Sequence, residues 1–345
     1  MATKPIAVVS GGAGFIGSHM VDLLLERDYI VRVIDNLSVG QERNLAQHNN
    51  NPDLQCEWMD INDLQPSCTL FSDSTYVFHF AGIGSIVPSI EQPIEYMATN
   101  VQGTVRMLEC ARAAGTKKFV YAASSSCYGL ASVPTREDHP IAPQYPYALS
   151  KYLGECATFH WHRVYNLPVN SICIFNAYGP RVCTTGAYGA VFGVFFKQKL
   201  AGYPLTVVGD GTQRRDFLYV TDVPRAFLSA AETKLVGERW NLGAGQPESV
   251  NRLVELIGGK VEYLPKRPGE PECTWADIRK IQKALHWSPT VSFAQGVSRM
   301  MERLEDWREA PLWDKVSIAK ATETWFKYLG KNRDSHENVA RNLPT

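Results

Sequence analysis

Tyr147 and Lys151 stand four apart in YPYALSKYLGE, a spacing that puts both side chains on one face of a helix, one turn from each other. A tyrosine is too weak an acid to be a base at neutral pH, but a neighbouring ammonium and a positively charged nicotinamide both favour its phenolate, so the pair can form a general base. The same spacing also fits a solvated helix surface, and a second feature decides between the two. Gly11, Gly14 and Gly17 form G-x-x-G-x-x-G between the strand-like IAVVS and the amphipathic FIGSHMVDLLLE. Glycines permit a tight turn and close backbone approach, and the N–H groups opening the helix suit a pyrophosphate. The next apolar run, IVRVID, ends in Asp35, eighteen residues beyond Gly17. A carboxylate there accepts hydrogen bonds from a ribose diol and repels a 2'-phosphate, which points to NAD rather than NADP. In MDI, Asp60 and Ile61 are placed to frame an adenine. A further candidate stretch is AASSSCYG, residues 122–129, where three serines, a cysteine and a tyrosine follow the apolar KKFVY.

These groups need a scaffold, and the pattern supplies one. Apolar runs without polar alternation (IAVVS, IVRVID, YVFHFAG, KFVYAAS, VNSICIF) alternate with helical stretches such as 94–114 and 147–165. Such strands are buried on both faces, which predicts a doubly wound α/β fold around a parallel sheet. After about residue 176 the chain turns to Gly- and Pro-punctuated segments, so a Rossmann-type domain over 1–176, with later segments returning to it, is expected beside a smaller mixed α/β substrate lobe over 177–330 and a polar tail over 331–345. Lys plus Arg total 35 and Asp plus Glu total 35, so no net field favours nucleic acid or an anionic membrane; an anionic ligand must be held by a local site. Eight cysteines without paired spacing read as reduced thiols. The early strand leaves no room for a signal peptide and no apolar run is long enough to span a bilayer, so a cytoplasmic protein is expected. His160 and His162 lie two apart on a helix and face different sides, so no metal is expected.

Taken together, GGAGFIGSH, HFAG, ATNVQGT, AASSSCYG, YPYALSKYLGE, NAYGPR, RRDFLYVTDV and RPGEPECTWAD resemble the extended short-chain dehydrogenase/reductase family along nearly the whole chain, and within it the nucleotide-sugar 4-epimerases. The resemblance implies that NAD is held by Gly11, Gly14, Phe15, Ile16 and Gly17 at the loop and by Asp35, Asn36, Asp60 and Ile61 at the adenosine end. It implies Phe80, Ala81, Gly82 and Asn100, with Tyr147 and Lys151, at the other end. Counting four back from Tyr128 gives Ser124, the implied hydrogen-bond partner of the reacting oxygen. Family dehydratases carry Asp and Glu at the next two positions; Ser125 and Ser126 stand here and cannot replace an acid/base pair. Cys127 falls one residue from where a related 3,5-epimerase type keeps its cysteine. If AASSSCYG continues as a strand, Cys127 points away from the site and is a buried thiol.

On the substrate side, Arg215 and Arg267 match positions that clamp a diphosphate, Asn176 an amide that touches it, and Glu270 an acceptor for the nucleotide ribose. Which of Arg214 and Arg215 points inward rests on the resemblance. Thr274 matches a position lining the sugar pocket, where its small size leaves room for a 2-acetamido group. Ser125 and Ser126 complete the implied substrate set. The expected activity is NAD-dependent 4-epimerisation of a UDP-hexose or UDP-N-acetylhexosamine through a transient 4-keto sugar, in polysaccharide biosynthesis, by a homodimer joined through the 94–114 and 147–165 helices. The rivals are a 4,6-dehydratase or dehydrogenase of similar substrates, and a non-catalytic NAD-binding regulator.

Overall fold

Strand β1 (Ile6–Ser10) runs into the glycine turn and helix α1 (Phe15–Glu26) in the computed structural model of the chain, which describes residues 4–183 and 191–329. The expected polar tail lies outside the described residues. The alternation continues through β2 (Ile30–Asp35), β3 (Leu54–Trp58), β4 (Ser74–His79), the short helices α2 (Ile86–Glu91) and α3 (Pro93–Met97), α4 (Gly103–Ala113), β5 (Lys118–Ser124), α5 (Pro146–Tyr165) and β6 (Val169–Ile174). Pro146 starts α5, where its missing N–H is harmless, and Asn166 ends it in the left-handed region at φ 56°. A π-helical turn, Ala98–Gln102, joins α3 to α4.

Beyond residue 176 come β7 (Asn176–Tyr178), α6 (Val191–Leu200), β8 (Leu205–Val208), β9 (Arg214–Arg215), β10 (Phe217–Tyr219), α7 (Asp222–Glu232), β11 (Glu238–Leu242), β12 (Glu248–Ser249), α8 (Val250–Ile257) and β13 (Val261–Leu264). Helices α9 (Arg279–Leu285), α10 (Phe293–Glu302), α11 (Lys315–Ala321) and α12 (Glu323–Leu329) follow. The central sheet has seven parallel strands in the order β11-β6-β5-β4-β1-β2-β3, a Rossmann-type arrangement whose direction of winding reverses between β1 and β4. All residues of β5 and β6 are buried, which is why they carry no polar alternation. Val9, Val33, Phe78 and Val120 pack on one face of the sheet with α1, α7 and α9, while Val8, Ile34, Val77 and Phe119 pack on the other with α4. A third core, built on Tyr178, Phe192, Phe196, Phe217, Leu253 and Trp307, lies under the small strand pairs β7·β10 and β8·β13. The later half is thus divided: β11 extends the large sheet, and the short pairs hold the loops that face the carboxyl ends of its strands.

Candidate active site

At the glycine turn the backbone itself makes the site. Gly11 has φ +69°, and a Cβ there would lie 2.7 Å from the Ala81 nitrogen; a Cβ on Gly17 would overlap the Gly11 carbonyl. No side chain caps α1 at Gly14, so the N–H groups of its first turn, at Phe15, Ile16 and Gly17, are left for an anion. Asp35, buried at the end of β2, accepts from the N–H of Ala13 at 3.0 Å and of Leu37 at 2.8 Å. Burial raises its carboxyl and these two bonds oppose the rise. Exposed Asn36 donates to Asp60 at 2.8 Å, and Asp60 also caps the turn Ile61–Asp63. The Ile61 side chain is buried against Gly103, so only the edge of this turn is open to a ligand. Uncapped N–H groups and a fixed acceptor acid beside them fit a dinucleotide.

The reacting end sits where β4 and β5 finish. Ser124 is the last residue of β5, and the Tyr147 hydroxyl donates to its Oγ at 3.2 Å. Lys151, one turn along α5, is buried, with Nζ over the Tyr121 ring, 4.5 Å from its centroid. The segment after β4 passes across both groups. A Cβ on Gly82 would lie 2.8 Å from Asn100 Oδ1 and 3.8 Å from Lys151 Nζ, and one on Gly84 3.8 Å from the Tyr147 hydroxyl. Asn100, on the π-turn, clamps this segment by accepting from the Ile83 N–H at 2.9 Å and donating to its carbonyl at 3.0 Å and to Ser150 at 2.9 Å. Burial pushes the Tyr147 phenol up, opposed by the bond to Ser124, and draws the Lys151 ammonium down to about 8, opposed by Cys127 and Glu155. Among the described residues no hydrogen bond joins Lys151 to Tyr147, and the two side chains lie one turn apart on the same face of α5.

Several groups escaped the sequence reading. His79 is fully buried between Ser10 Oγ (2.6 Å) and Thr104 Oγ1 (2.9 Å). Because Thr104 donates to the Asn100 carbonyl and Ser10 accepts from the Ala81 N–H, His79 carries its proton on Nε2. The chain of bonds couples the Phe80–Gly82 segment to the π-turn, and burial keeps the imidazole neutral by lowering it to about 3. Phe80 itself packs on Phe227, with ring centroids 4.5 Å apart. Behind Lys151, buried Glu155 accepts from Ser171 at 2.6 Å and pairs with Arg239 at 3.2 Å, and Arg239 lies over the Tyr128 ring. Tyr145 stacks beside Tyr147 at 6.4 Å and is hydrogen-bonded to Ser126; burial pushes its phenol up to about 12. Each of these depends on pairing between distant strands or on the turn at the start of α5, which no local motif announces.

Cys127 corrects one step of the sequence argument. It is buried as expected, yet AASSSCYG leaves the strand at Ser124 and continues as the tight turn Ser125–Tyr128. The turn, and not strand alternation, aims the thiol inward to the Ala148 carbonyl at 3.5 Å, and burial raises it to about 12.

Across the cleft, Arg215 pairs with Glu270 at 2.7 Å, and Arg267 lies 3.8 Å from the same carboxylate. Arg214 is exposed and bonds the Pro247 carbonyl, so Arg215 is the more enclosed of the two neighbours. Thr274 donates to Asn176 Oδ1 at 2.7 Å, which joins two of the sequence candidates directly. Asp216, fully buried, accepts from the N–H groups of Ala244 (2.6 Å), Gly245 (3.1 Å) and Ala276 (2.8 Å), and so fastens the loop after β11 to the Thr274 segment. Burial raises its carboxyl to about 6 against those three bonds.

Residues 8–300 match the family described as GDP-mannose 4,6 dehydratase. A putative UDP-glucose 4-epimerase of Methanocaldococcus jannaschii is 35% identical over 308 residues, 87% of this chain and 98% of its own. UDP-glucuronic acid decarboxylase 4 of Arabidopsis thaliana is 32% identical, covering 92% of this chain and 72% of its own. Among solved structures, the UDP-N-acetylglucosamine 4-epimerase of Methanobrevibacter ruminantium, in complex with UDP-N-acetylmuramic acid, superimposes with TM-score 0.82 at 31% identity, covering 88% of this chain and 100% of its own. The UDP-glucuronic acid 4-epimerase of Bacillus cereus, solved with UDP-glucuronic acid and NAD, gives TM-score 0.81 at 32% identity over 87% and 99%.

Proposed function

This chain belongs to the extended short-chain dehydrogenase/reductase family that carries the GDP-mannose 4,6 dehydratase description, and from that premise we propose that it is an NAD-dependent UDP-sugar 4-epimerase. The observation that carries the proposal is the Tyr147 hydroxyl bonded to Ser124, with serines at 125 and 126 where dehydration would need acids. NAD, when bound, would supply the hydride acceptor and donor for C4 of the sugar. The first-turn N–H groups of α1 would hold its pyrophosphate, and Asp35 would accept from the adenosine ribose. Asn36, Asp60 and Ile61 border the adenine. Phe80, Ala81 and Gly82, fixed by Asn100, border the nicotinamide end.

Tyr147 removes the proton of the C4 hydroxyl and later gives it back, while Ser124 shares the reacting oxygen. Because burial holds the phenol protonated, Lys151 must contribute its charge through a dry interior to release that proton. Arg215 and Arg267 clamp the diphosphate. Glu270, now paired with both arginines, turns to the nucleotide ribose. With its carbonyl taken by Thr274, Asn176 offers its amide N–H to the diphosphate. Ser125 and Ser126 contact the sugar, and Thr274 leaves room for a 2-acetamido group, so UDP-N-acetylhexosamines join UDP-hexoses as proposed substrates.

The homodimer belongs to the same proposal, with α4 and α5 as its faces. Leu149, Leu153 and Val164 of α5 are exposed, and a hollow lined by Tyr152, Cys156, Phe159 and His162 lies along the helix. A cytoplasmic location is supported by cysteines that form no disulfide among the described residues. Among the described residues no helix is long and apolar enough to cross a membrane.

Incubating the NAD-loaded protein with UDP-glucose, UDP-GlcNAc and UDP-glucuronate, and identifying the products by NMR, tests the reading. A C4 epimer without NADH build-up is expected. A 4-keto-6-deoxy sugar, or a pentose from UDP-glucuronate, would replace the epimerase with a dehydratase or a decarboxylase.

A further inference from the structure

We propose that α12 is a strap that holds the diphosphate-binding loop in its clamping position, with Trp325 as the positioning residue; the inference rests on the UDP-sugar reading above. The loop runs from β13 to Cys273 and carries Arg267 and Glu270. It contains Pro265, Pro268 and Pro271, and Gly269 at φ +71°. Apart from the tight turn at Pro268–Gly269, the segment from 265 to 271 belongs to no helix or strand. Prolines limit its freedom without anchoring it, because they remove donors.

The anchor is Trp325, which is 8% exposed. Its Nε1 donates to the Pro268 carbonyl at 2.8 Å, and the Arg267 guanidinium lies 6.0 Å from the centre of its ring. One indole thus satisfies a loop carbonyl and backs the cation next to it, an arrangement that leaves the guanidinium charged while fixing its direction. The Leu329 carbonyl, at the far end of α12, lies 3.7 Å from where a Cβ on Gly269 would stand.

The other side of α12 is tied to the catalytic lobe. Thr324 donates to Glu91 at 2.7 Å, and α12 packs on α2, which begins just after the Gly82–Ser85 segment that crosses Tyr147 and Lys151. Thr322, between α11 and α12, is buried and donates to the Ile318 carbonyl at 2.8 Å, which sets the angle at which α12 departs. The family match stops at residue 300, before α11 and α12. The strap spans the cleft from the diphosphate end to the catalytic end. Its effect is preorganisation: a loop held ready gives up less freedom when the diphosphate binds.

The test uses the full-length, NAD-loaded protein with UDP and uridine as probes in titration calorimetry. Trp325→Ala is expected to weaken UDP by about tenfold, because both the hydrogen bond and the packing that hold the loop are lost. Uridine affinity, which needs no clamp, should not change, and for a UDP-sugar KM should rise with kcat retained. Trp325→Phe keeps the packing and deletes only the N–H, so about a fivefold loss is expected. Arg267→Ala should cost less in the Trp325→Ala background than in wild type, because the two residues act on one contact.

UDP affinity within twofold of wild type in the variants that fold, or strict additivity of Trp325→Ala with Arg267→Ala, would overturn the proposal. Should Trp325→Ala fail to fold, Trp325→Phe decides by the same affinity criterion. UDP binding that follows this pattern without epimerisation of any UDP-sugar sinks the functional reading alone. A protein that binds no UDP sinks both.

Discussion

Replacing Lys151 by arginine and by methionine separates the charge of this side chain from its fit. The ammonium is buried beside the Tyr121 ring, and burial draws it from 10.5 to about 8, while Cys127 and Glu155 oppose the fall. That difference corresponds to roughly 3 kcal/mol between the charged and neutral forms. Between about 8 and 10.5 the native state binds fewer protons than the unfolded chain, so stability rises with pH across that window, and the burial cost is present in full below it. Lys151→Met should therefore raise the unfolding free energy at neutral pH by up to roughly 3 kcal/mol, a gain that urea titration should find shrinking as the pH approaches the upper end of the window. Activity moves the other way. If the charge of Lys151 releases the Tyr147 proton, wild-type kcat/KM should fall about tenfold per pH unit once the pH exceeds the value for the buried ammonium. In Lys151→Arg the cation persists to above roughly pH 12, so the alkaline limb should move out of range even though the planar group fits poorly and the plateau drops. Lys151→Met should show no such limb and a loss of about 10²- to 10⁴-fold at neutral pH. An alkaline limb at the same pH in wild type and Lys151→Arg would refute the reasoning, as would a stability gap that does not change with pH.

Tyr147→Phe should lose about 10²- to 10⁴-fold in kcat on any accepted UDP-sugar, and Ser124→Ala clearly less, because the serine shares the oxygen but does not take the proton. Steady-state assays of both variants check the order. Gly82→Ala would press a methyl to 2.8 Å from Asn100 Oδ1, against the segment that crosses Lys151; a fall in bound NAD and in kcat is expected, read by cofactor release and turnover. Thr274→Tyr should depress turnover of UDP-GlcNAc far more than of UDP-glucose, since steric exclusion acts on the larger sugar alone. Thr274→Val, which deletes only the bond to Asn176, should affect both substrates alike, and equal responses to the tyrosine would reopen the choice of sugar.

Local features of the site were legible because their chemistry is local. Three glycines, a strand-end acid and a Tyr-Lys pair one helical turn apart are each written within a short window, and unbroken apolar strands announce a sheet covered on both faces. What stayed hidden depends on contacts across the sheet. Ser10 meets His79 only because β1 and β4 pair in the register that puts them opposite each other. Arg239 reaches Glu155 only because β11 returns to lie beside β6. Cys127 was expected to point away from the site on strand alternation, but the strand ends at Ser124, whose side chain caps the following turn through the Ser126 N–H, and the thiol turns to the Ala148 carbonyl of α5, beside Tyr147 and Lys151. That Arg215 is the more enclosed neighbour and meets Glu270 depends on the pairing of β9 with β12, which the sequence does not specify.

The hidden groups explain how the legible ones can work together. A lysine placed alone in this interior would lose its proton well below its ordinary value, and with it the means to act on Tyr147. Glu155, one turn along the same helix, counters that fall. Burial raises the Glu155 carboxyl in turn, and Arg239 and Ser171 oppose the rise. Arg239, held over the Tyr128 ring, closes the series on the turn that begins at Ser124. The sequence of dependence runs from Arg239 through Glu155 to Lys151, and in the proposed mechanism from there to the phenol. Removing Arg239 should therefore be felt at Tyr147, two turns from Glu155 along the same face of α5, as a pH profile whose alkaline limb moves to lower pH, whereas a purely structural loss would lower the plateau and leave the limb in place.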